Sequence, residues 1–244
     1  MTALRKKRAL VILPTLNEAK NLPLLVPKVL AHDGFGLLIV DDRSTDGTGD
    51  VADELARQFP GRIEVRHRTG PRGLGLSYAE AFPHAATTDA DVICQMDADL
   101  SHDPQHLPQM VAATDQYDVV VGSRYTAGAA LVDWPGYRAV LSRCANAYVR
   151  AVTGLPARDC TSGYRCWRRA AVQRMRWDRI GAEGFAFLVE TLCEAAQMGC
   201  VIGEVPVVFV GRRHGASKLT ARVVKESLIV PWRVLMRFRG RTPR

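Results

Sequence analysis

The first half of the chain alternates short apolar runs with amphipathic stretches. The apolar runs have the length and composition of buried strands, and the stretches between them have the spacing of helices. Strands are predicted at residues 9–13, 36–42, 62–68, 91–97 and 118–124, and helices near residues 18–32, 46–59, 73–86 and 104–115. Strands rich in Val, Ile and Leu that alternate with helices favour a mostly parallel sheet covered on both faces. The predicted fold class is therefore α/β, with helices flanking a central sheet.

The pattern of the second half is less regular. Residues 136–153 and 184–198 have helical spacing, and residues 201–210 predict one more strand region, which Pro206 interrupts. A last helix is predicted from about Thr220. No internal repeat or low-complexity linker divides the chain, and its 244 residues suit a single α/β domain.

The terminal segment, residues 221–244, is basic and amphipathic. It holds seven basic residues and one acidic residue, so it carries six of the eight net positive charges. Trp232 and Phe238 stand among these basic residues, a pattern that suits a helix lying on an anionic lipid surface. A helix packed on the core with a solvated tail is the alternative, and the two are compatible. We therefore expect one domain at residues 1–220 and a membrane-contact segment at residues 221–244.

Composition argues against several classes of protein. Hydrophobic residues make up 47% of the chain and charged residues 24%, values typical of a folded domain. The six cysteines form no Cys-x-x-Cys pair, which argues against a zinc ribbon and favours reduced, buried thiols in a cytoplasmic protein. No apolar run reaches the ~18–20 residues of a membrane span. Basic residues outside the terminal segment are mixed with acidic ones, so no nucleic acid is expected as a partner.

Polar motifs follow four of the predicted strands. Because the carboxyl ends of parallel strands meet at one edge of a sheet, we expect these motifs to converge where nucleotide ligands bind in such folds. The motifs are Pro14-Thr15-Leu16-Asn17-Glu18, Asp41-Asp42, Asp97-Ala98-Asp99 and Gly122-Ser123-Arg124.

The paired acids Asp97 and Asp99 indicate a cation site. Two neighbouring carboxylates repel each other unless a cation or a proton lies between them, and a hard divalent ion that also binds diphosphate oxygens meets this need. A calcium-binding loop is excluded, because His102 stands where that loop needs glycine and Pro108 where it needs glutamate. The alternative is a turn at the strand end, capped by aspartates.

The second acidic pair, Asp41 and Asp42, follows four apolar residues directly. Helix capping by Ser44 or Asp46 explains the polar residues that come next, but not this pair. An acid at this place binds a ribose hydroxyl or the edge of a base in related layouts.

Two other chemistries find little support. The glycines at 70, 73 and 75 do not have the Gly-x-Gly-x-x-Gly order of a dinucleotide site, and they follow the third strand instead of the first. The six histidines are scattered, and neither a zinc-protease motif nor a nucleophile elbow occurs. A nicotinamide-dependent oxidoreductase and a histidine-based hydrolase are therefore disfavoured.

In this order, the motifs resemble those of the family 2 glycosyltransferases of the GT-A fold, and among them the dolichol- or polyprenol-phosphate mannose synthases. The resemblance runs from about residue 9 to residue 220. The pieces that carry it are Pro14-Thr15-x-Asn17-Glu18, Val40-Asp41-Asp42-x-Ser44-x-Asp46-Gly47-Thr48, Arg72-Gly73-Leu74-Gly75, Met96-Asp97-Ala98-Asp99-Leu100-Ser101-His102, Gly122-Ser123-Arg124-Tyr125, Ser142-Arg143-x-Ala145-Asn146, Asp159-x-Thr161-Ser162-Gly163-x-Arg165, Gly203-Glu204-Val205-Pro206 and Gly215-x-Ser217-Lys218.

The resemblance implies a role for each matching residue. The nucleotide pocket would be lined by Pro14, Leu16, Glu18, Val40 and Asp42. The ribose and diphosphate would face Asp97, Ala98 and Asp99. Asp99 would bind Mg²⁺ or Mn²⁺, with Ser101 as a second ligand. The phosphates would be held by Arg124, Arg212 and Lys218, which with Asp99 form the implied catalytic set, and the acceptor phosphate by Arg138 and Ser142.

The activity that the resemblance implies is transfer of mannose from GDP-mannose to a polyprenol or dolichol phosphate, with inversion, at the cytoplasmic face of a membrane. Two departures from the family bear on this expectation. Leu16 stands where a tyrosine is usual, which weakens stacking on the base, and Glu183 stands where a basic residue is frequent. A transferase that uses a UDP-sugar such as UDP-glucose is the alternative enzyme, and a non-catalytic anion-binding protein is the alternative from another class.

Overall fold

A computed structural model of the chain describes residues 6–181, 184, 186–211 and 221–238. Its strands are β1 (Ala9–Thr15), β2 (Phe35–Asp41), β3 (Ile63–His67), β4 (Val92–Gln95), β5 (Val119–Ser123), β6 (Ala130–Val132), β7 (Arg165–Arg168), β8 (Ile202–Pro206) and β9 (Val208–Val210). Its α-helices are α1 (Leu22–Leu30), α2 (Thr48–Gln58), α3 (Leu74–Ala85), α4 (Leu107–Ala113), α5 (Gly136–Thr153), α6 (Arg169–Arg174), α7 (Ala186–Gln197) and α8 (Ala221–Phe238). Two short 3₁₀ turns lie at Pro104–His106 and Trp177–Arg179.

Seven strands form the central sheet, in the order β3-β2-β1-β4-β7-β5-β8. Strands β1 to β4 are parallel to their neighbours, and β5 is parallel to β8. Strand β7 runs antiparallel between β4 and β5. Because two antiparallel steps restore the direction, β1, β2, β4 and β5 all end at the same edge of the sheet.

The predicted α/β class, the five strands of the first half and the helices between them are confirmed. Strand β1 extends two residues beyond its apolar run, and its last residue, Thr15, is in register with Asp41 of β2. Strand β4 ends at Gln95, so Asp97, predicted as the last residue of this strand, lies with Asp99 in the loop that follows. The apolar runs of β1, β2, β4 and β5 form strands that are largely buried on both faces, whereas β3, at the edge of the sheet, buries Ile63 and exposes Glu64 and His67.

The second half differs from the prediction in its strands. The predicted strand region at 201–210 is two strands: β8 joins the central sheet, whereas β9 pairs with β6 in a separate two-stranded sheet. The chain changes sheet at Val207, whose N–H donates to the carbonyl of Ser123 at 3.1 Å. Strand β7 and helix α6 were not predicted, since the run from 165 to 168 has an arginine at each end.

The core consists of two apolar layers, one on each face of the sheet. Alternate residues of each strand enter opposite layers, as the period of a strand requires. Ile12 and Leu38 pack with α3, α5 and α7 on one face, whereas Val11 and Leu37 pack with α1, α2 and α4 on the other.

Helix α8 packs against α5 and α7. Its residues Val230 and Val234 are buried in the core layer that contains α7. The Tyr148 hydroxyl of α5 donates to the carbonyl of Leu228 at 2.6 Å, and Arg237 Nη1 lies 2.8 Å from the buried carboxylate of Glu190 in α7. No helix in the described part of the chain is both long and apolar enough to cross a bilayer.

Candidate active site

The loops after β1 and β2 form one wall of the candidate site. Pro14 and Val40 are paired in the strand register, and Val40 is buried. Leu16 and Glu18 are half-buried in the loop after β1, where the Glu18 N–H donates to Thr48 Oγ1 at 2.8 Å. The structure thus brings four of the predicted nucleotide-pocket residues to the same two strand ends.

Asp41 stabilises the turn after β2. Its Oδ1 accepts a hydrogen bond from the Ser44 hydroxyl at 2.5 Å and one from Thr15 Oγ1 at 3.2 Å. The Ser44 Oγ in turn accepts from the Asn17 N–H at 2.9 Å, which ties the loops after β1 and β2 together. Asn17 and Arg43 both have a φ of 60°, so these loops turn sharply just beside the pocket.

Asp42 is buried and holds a charged partner. It forms an ion pair with Arg68 Nη1, and its Oδ2 accepts from the Gly73 N–H at 2.7 Å. Arg68 is also buried, and it donates to both oxygens of Glu80 at 2.6 and 3.0 Å. The hydrogen bonds to Glu80 raise the pKa of Arg68, and Asp42 adds to the effect. Arg68 was not among the predicted site residues; it follows β3 and lies 26 residues from Asp42 in the chain.

The loop after β4 places Asp99 and Ser101 together. The Ser101 hydroxyl donates to Asp99 Oδ1 at 2.5 Å, and the Ser101 N–H donates to the same oxygen at 3.1 Å. Both residues are buried, and Leu100 between them has a φ of 64°. Carboxylate and hydroxyl oxygens are hard donors that suit Mg²⁺ or Mn²⁺. Since no three His, Cys, Asp or Glu side chains within the described ranges are placed to hold a metal, a cation at Asp99 needs further oxygens from its substrate or from water.

His102 supports the same loop. Its Nδ1 accepts a hydrogen bond from the Asp97 N–H at 3.1 Å, and its ring stacks on Tyr164 with centroids 4.7 Å apart. Burial lowers the pKa of His102, although Asp97 and Asp99 act in the opposite direction. The ring is therefore neutral, as an accepting Nδ1 requires. This contact was not predicted, because the six histidines are scattered along the chain. The position of His102 at the end of the acidic motif could have indicated that it supports the loop.

Arg124 lies at the end of β5 and is held by Asp159. Its Nε and Nη2 each donate to one Asp159 oxygen at 2.7 Å, which is a bidentate pair. Burial lowers the pKa of Arg124, but the hydrogen bonds and charge of Asp159 outweigh burial and leave that pKa raised. The charge of Asp97 also raises the pKa of Arg124.

The predicted acceptor residues lie on α5. Asn146 Nδ2 donates to Thr161 Oγ1 at 3.0 Å, and Arg124 Nη2 donates to the same hydroxyl at 2.9 Å. Asn146 thereby links α5 to Arg124. Ser142 and Arg138 precede Asn146 by one and two turns on the same side of the helix, and Arg138 is exposed.

The predicted site residues thus form two groups at one edge. Strand β1 lies between β2 and β4, so the ends of β2 and β4 are about 10 Å apart. The ends of β1 and β2 carry Pro14, Leu16, Glu18, Val40 and Asp42. The ends of β4 and β5 carry Asp97, Ala98, Asp99, Ser101 and Arg124. The remaining members of the predicted catalytic set, Arg212 and Lys218, lie outside the described residues, as does Glu183.

The chain belongs to Glycosyl transferase family 2, whose members it matches over residues 10–176. It is 38% identical to a polyprenol monophosphomannose synthase of Mycolicibacterium smegmatis over 98% of this chain and 90% of the relative. It is also 38% identical to an undecaprenyl-phosphate mannosyltransferase of Micrococcus luteus, over 96% of this chain and 97% of the relative.

Solved structures of two other synthases share the fold. Glucosyl-3-phosphoglycerate synthase of Mycobacterium tuberculosis, solved with Mn²⁺, UDP and phosphoglyceric acid, gives a TM-score of 0.67 at 18% identity and covers 94% of this chain and 78% of its own. Mannosyl-3-phosphoglycerate synthase of Rubrobacter xylanophilus gives 0.66 at 17% identity, over 96% and 75%. The fold is therefore that of the GT-A glycosyltransferases, as expected.

Proposed function

We propose that this chain transfers mannose from GDP-mannose to the phosphate of a polyprenol and so makes polyprenyl phosphate mannose. The observation that carries the proposal is the convergence of Asp42, Asp99 and Arg124 at one edge of the sheet. Two relatives that match nearly the whole chain are named for mannose transfer to polyprenol and undecaprenyl phosphate. The donor is proposed from the resemblance to the mannose synthases.

Asp99 and Ser101 would hold the divalent cation, Mg²⁺ or Mn²⁺. When bound, such an ion neutralises the diphosphate and so makes it a better leaving group. The wall formed by the loops after β1 and β2 would take the nucleoside, with Val40 against the base and Asp42 near the ribose. Arg124, together with Arg212 and Lys218, would balance the charge that develops on the diphosphate.

The transfer needs no general base. The acceptor phosphate is already anionic at neutral pH, so its oxygen can attack the anomeric carbon as the bond from that carbon to the diphosphate breaks and GDP leaves. Attack from the opposite side inverts the anomeric centre. His102 is not needed as a base, and its Nδ1 already accepts the Asp97 N–H.

A lipid acceptor gives the exposed apolar residues of α5 and α8 a function. Tyr137 and Leu141 of α5 and Trp232 and Met236 of α8 are all about half-exposed or more. Helix α5 contains three arginines and no acid, and α8 is also rich in basic residues. Apolar side chains among cations suit the headgroup region of an anionic membrane. We propose that these helices dock the chain on the cytoplasmic face, with the acceptor residues Arg138 and Ser142 beside the lipid.

A donor screen tests the proposed function. The chain is incubated with undecaprenyl phosphate, Mg²⁺ or Mn²⁺, and labelled GDP-mannose or UDP-glucose, and the lipid product is extracted. We expect labelled lipid from GDP-mannose alone. Glucose transfer would support the UDP-sugar alternative, and no transfer with either donor, together with no metal-dependent nucleotide binding, would support the non-catalytic one.

The cation site is tested by Asp99→Ala and by chelation with EDTA. Both should abolish transfer, because the Asp99 carboxylate, to which the Ser101 hydroxyl donates, is the proposed principal ligand of the cation. The matched control is Asp53→Asn, which alters an exposed carboxylate of α2 that pairs with His67. Turnover of Asp99→Ala within a few-fold of the unaltered chain would reject this site.

A further inference from the structure

Few buried residues attach helix α5 to the rest of the molecule. The structure describes all 18 of its residues, and only Asn146 and Val149 among them are buried. Both lie in its second half, so the first half, residues 136–145, contains no buried residue. That first half carries Arg138 and Ser142, which are expected at the acceptor phosphate. Apolar packing therefore contributes little to the placement of the acceptor end of this helix.

Asn146 attaches α5 to the loop that precedes β7. Its Nδ2 donates to Thr161 Oγ1 at 3.0 Å, and its Oδ1 accepts from the Thr161 N–H at 3.2 Å. These two reciprocal hydrogen bonds form a polar clamp between the helix and the loop. The same Nδ2 also donates to the carbonyl of Ser142, one turn earlier in the helix, at 2.9 Å. Since both N–H groups of the amide have an acceptor and its oxygen has a donor, the side chain is held in one orientation.

The Thr161 hydroxyl joins the polar clamp to Arg124. Besides the hydrogen bond from Asn146, it accepts one from Arg124 Nη2 at 2.9 Å, and it donates to Asp159 Oδ1 at 3.4 Å. A hydroxyl group has one donor and two acceptor positions, so all three positions are filled. The α5 amide and the Arg124 guanidinium are therefore only two hydrogen bonds apart, and Asp159, which pairs with Arg124, completes the network.

We propose that the polar clamp sets the acceptor end of α5 against Arg124, which makes Asn146 and Thr161 positioning residues for the acceptor phosphate. Ser142 lies about 6 Å and Arg138 about 12 Å along the helix from Asn146, as one and two turns require. An acceptor phosphate at these residues is thereby held at a fixed separation from the diphosphate that Arg124 faces, and direct attack depends on that separation. The inference rests on the proposed function, because it takes Arg138 and Ser142 as the acceptor residues.

Hydrogen exchange of the full chain without ligands tests the polar clamp itself. Asn146→Leu removes every hydrogen bond of the amide, and Thr161→Val removes only the shared hydroxyl. We expect the backbone amides of residues 139–145 to exchange at least about fivefold faster in each variant, because one lost hydrogen bond changes an opening equilibrium by about that factor. Thr161→Ser keeps the hydroxyl and should exchange as the unaltered chain does. No acceleration in α5, or an equal acceleration in α7, would overturn the proposal.

Kinetics with undecaprenyl phosphate and GDP-mannose test the consequence for the acceptor. Asn146→Leu and Thr161→Val should each lower kcat/KM for the lipid about tenfold or more, because a small misplacement of a reacting group has this effect. The affinity for GDP should not change. The double variant should match Asn146→Leu within about twofold, since both residues act through one clamp, and additive losses would contradict the proposal. An unaltered chain that transfers no mannose would refute the proposed function, whereas hydrogen exchange would still decide whether the polar clamp holds α5.

Thr153→Val is the matched control. Like Thr161, Thr153 is a half-buried threonine, and its hydroxyl donates to the carbonyl of Val149 at 2.7 Å, at the far end of α5 from the acceptor residues. Its loss should leave kcat/KM for the lipid unchanged even where it lowers the melting temperature. Where Asn146→Leu fails to fold, the threonine variants carry the test. A loss in Thr161→Val that Thr161→Ser restores supports the proposal, and equal losses in Thr161→Val and Thr153→Val would refute it.

Discussion

At the residue scale, burial makes the acidic side chains of the site dependent on their partners. Asp42 and Arg68 form a nearly inaccessible ion pair, since their side chains are 6% and 2% exposed. Arg68 has a second acid in Glu80, and the Gly73 N–H supports Asp42. The two members of the pair are therefore not equivalent: Arg68 keeps an ionic partner without Asp42, whereas Asp42 has no other positive side chain among its described hydrogen bonds.

Arg68→Met should destabilise the fold more than Asp42→Asn. The first change leaves a carboxylate buried without its positive charge, which costs about 3 kcal/mol or more. The second leaves Arg68 paired with Glu80 and keeps an oxygen that can accept the Gly73 N–H. Urea unfolding measures both free energies. Equal losses, or a larger loss for Asp42→Asn, would show that the pair is not the main support of this wall.

Thiol chemistry offers another test at this scale. Five of the six cysteines are buried, and only Cys144 on α5 is exposed. Burial raises the pKa of Cys160 and that of Cys193 to about 12, so neither forms the reactive thiolate at neutral pH. A thiol reagent should therefore modify one cysteine rapidly in the native chain and six after unfolding. Cys144→Ala should remove the rapid phase, and a second rapid thiol would contradict the burial described.

At the element scale, strands whose apolar residues are contiguous or alternate could be predicted, and a strand with a charged residue at a core position could not. Strand β2 is apolar over nearly its whole length because helices cover both of its faces. Strand β7 contains Arg165, which is fully buried and donates to the carbonyls of Leu188 and Cys160, so a charged residue occupies a core position. A period-based prediction excludes such a residue from a strand.

The same limit applies to the site. The acidic motifs could be found because each is contiguous and follows an apolar run. The partners of Asp42 and Arg124 could not, because Arg68 and Asp159 are 26 and 35 residues away and meet them only through the order of the strands.

The packing of β8 against the segment before β5 leads to a further prediction. A β-carbon at Gly203 would lie 2.4 Å from the ring of Tyr117, at the base of the ring where it cannot swing aside. Gly203→Ala should therefore destabilise the fold by about 2 kcal/mol through overpacking. Gly136→Ala is the matched control, because a β-carbon there meets no atom within 4 Å. Thermal unfolding compares the two variants, and equal melting temperatures would count against this packing.

At the scale of the whole molecule, α8 has two roles that a truncation cannot separate. Val230 and Val234 belong to the core, whereas Trp232 and Met236 of the same helix are exposed. Removing the chain after Thr220 would therefore disturb the fold as well as any membrane contact. Surface substitutions are the sharper test.

Leu141→Gln combined with Trp232→Gln should weaken binding to vesicles that contain an anionic phospholipid. Each change removes apolar area worth about 2 kcal/mol when fully buried, so even partial insertion predicts at least a tenfold loss. Nucleotide affinity should not change. Leu24→Gln, at an exposed leucine of α1, is the control, and it should bind vesicles as the unaltered chain does. Vesicle sedimentation measures all three, and unchanged binding by the double variant would exclude these helices as the docking surface.

The antiparallel strand β7 also sets an order of events during synthesis on the ribosome. β7 lies between β4 and β5 in the sheet and pairs with both of them. Its residues are translated some forty positions after β5 ends. Until then a nascent chain leaves open three strand edges that are paired in the finished sheet, one on β4 and both on β5, because β8 is translated later still. Such edges are the kind of surface that pairs with other chains. Arg124 also lacks its ion-pair partner until Asp159, 35 residues later, has been translated. The edge that carries the candidate site is thus assembled late, and nascent chains that stall within this interval should be those that most need a chaperone.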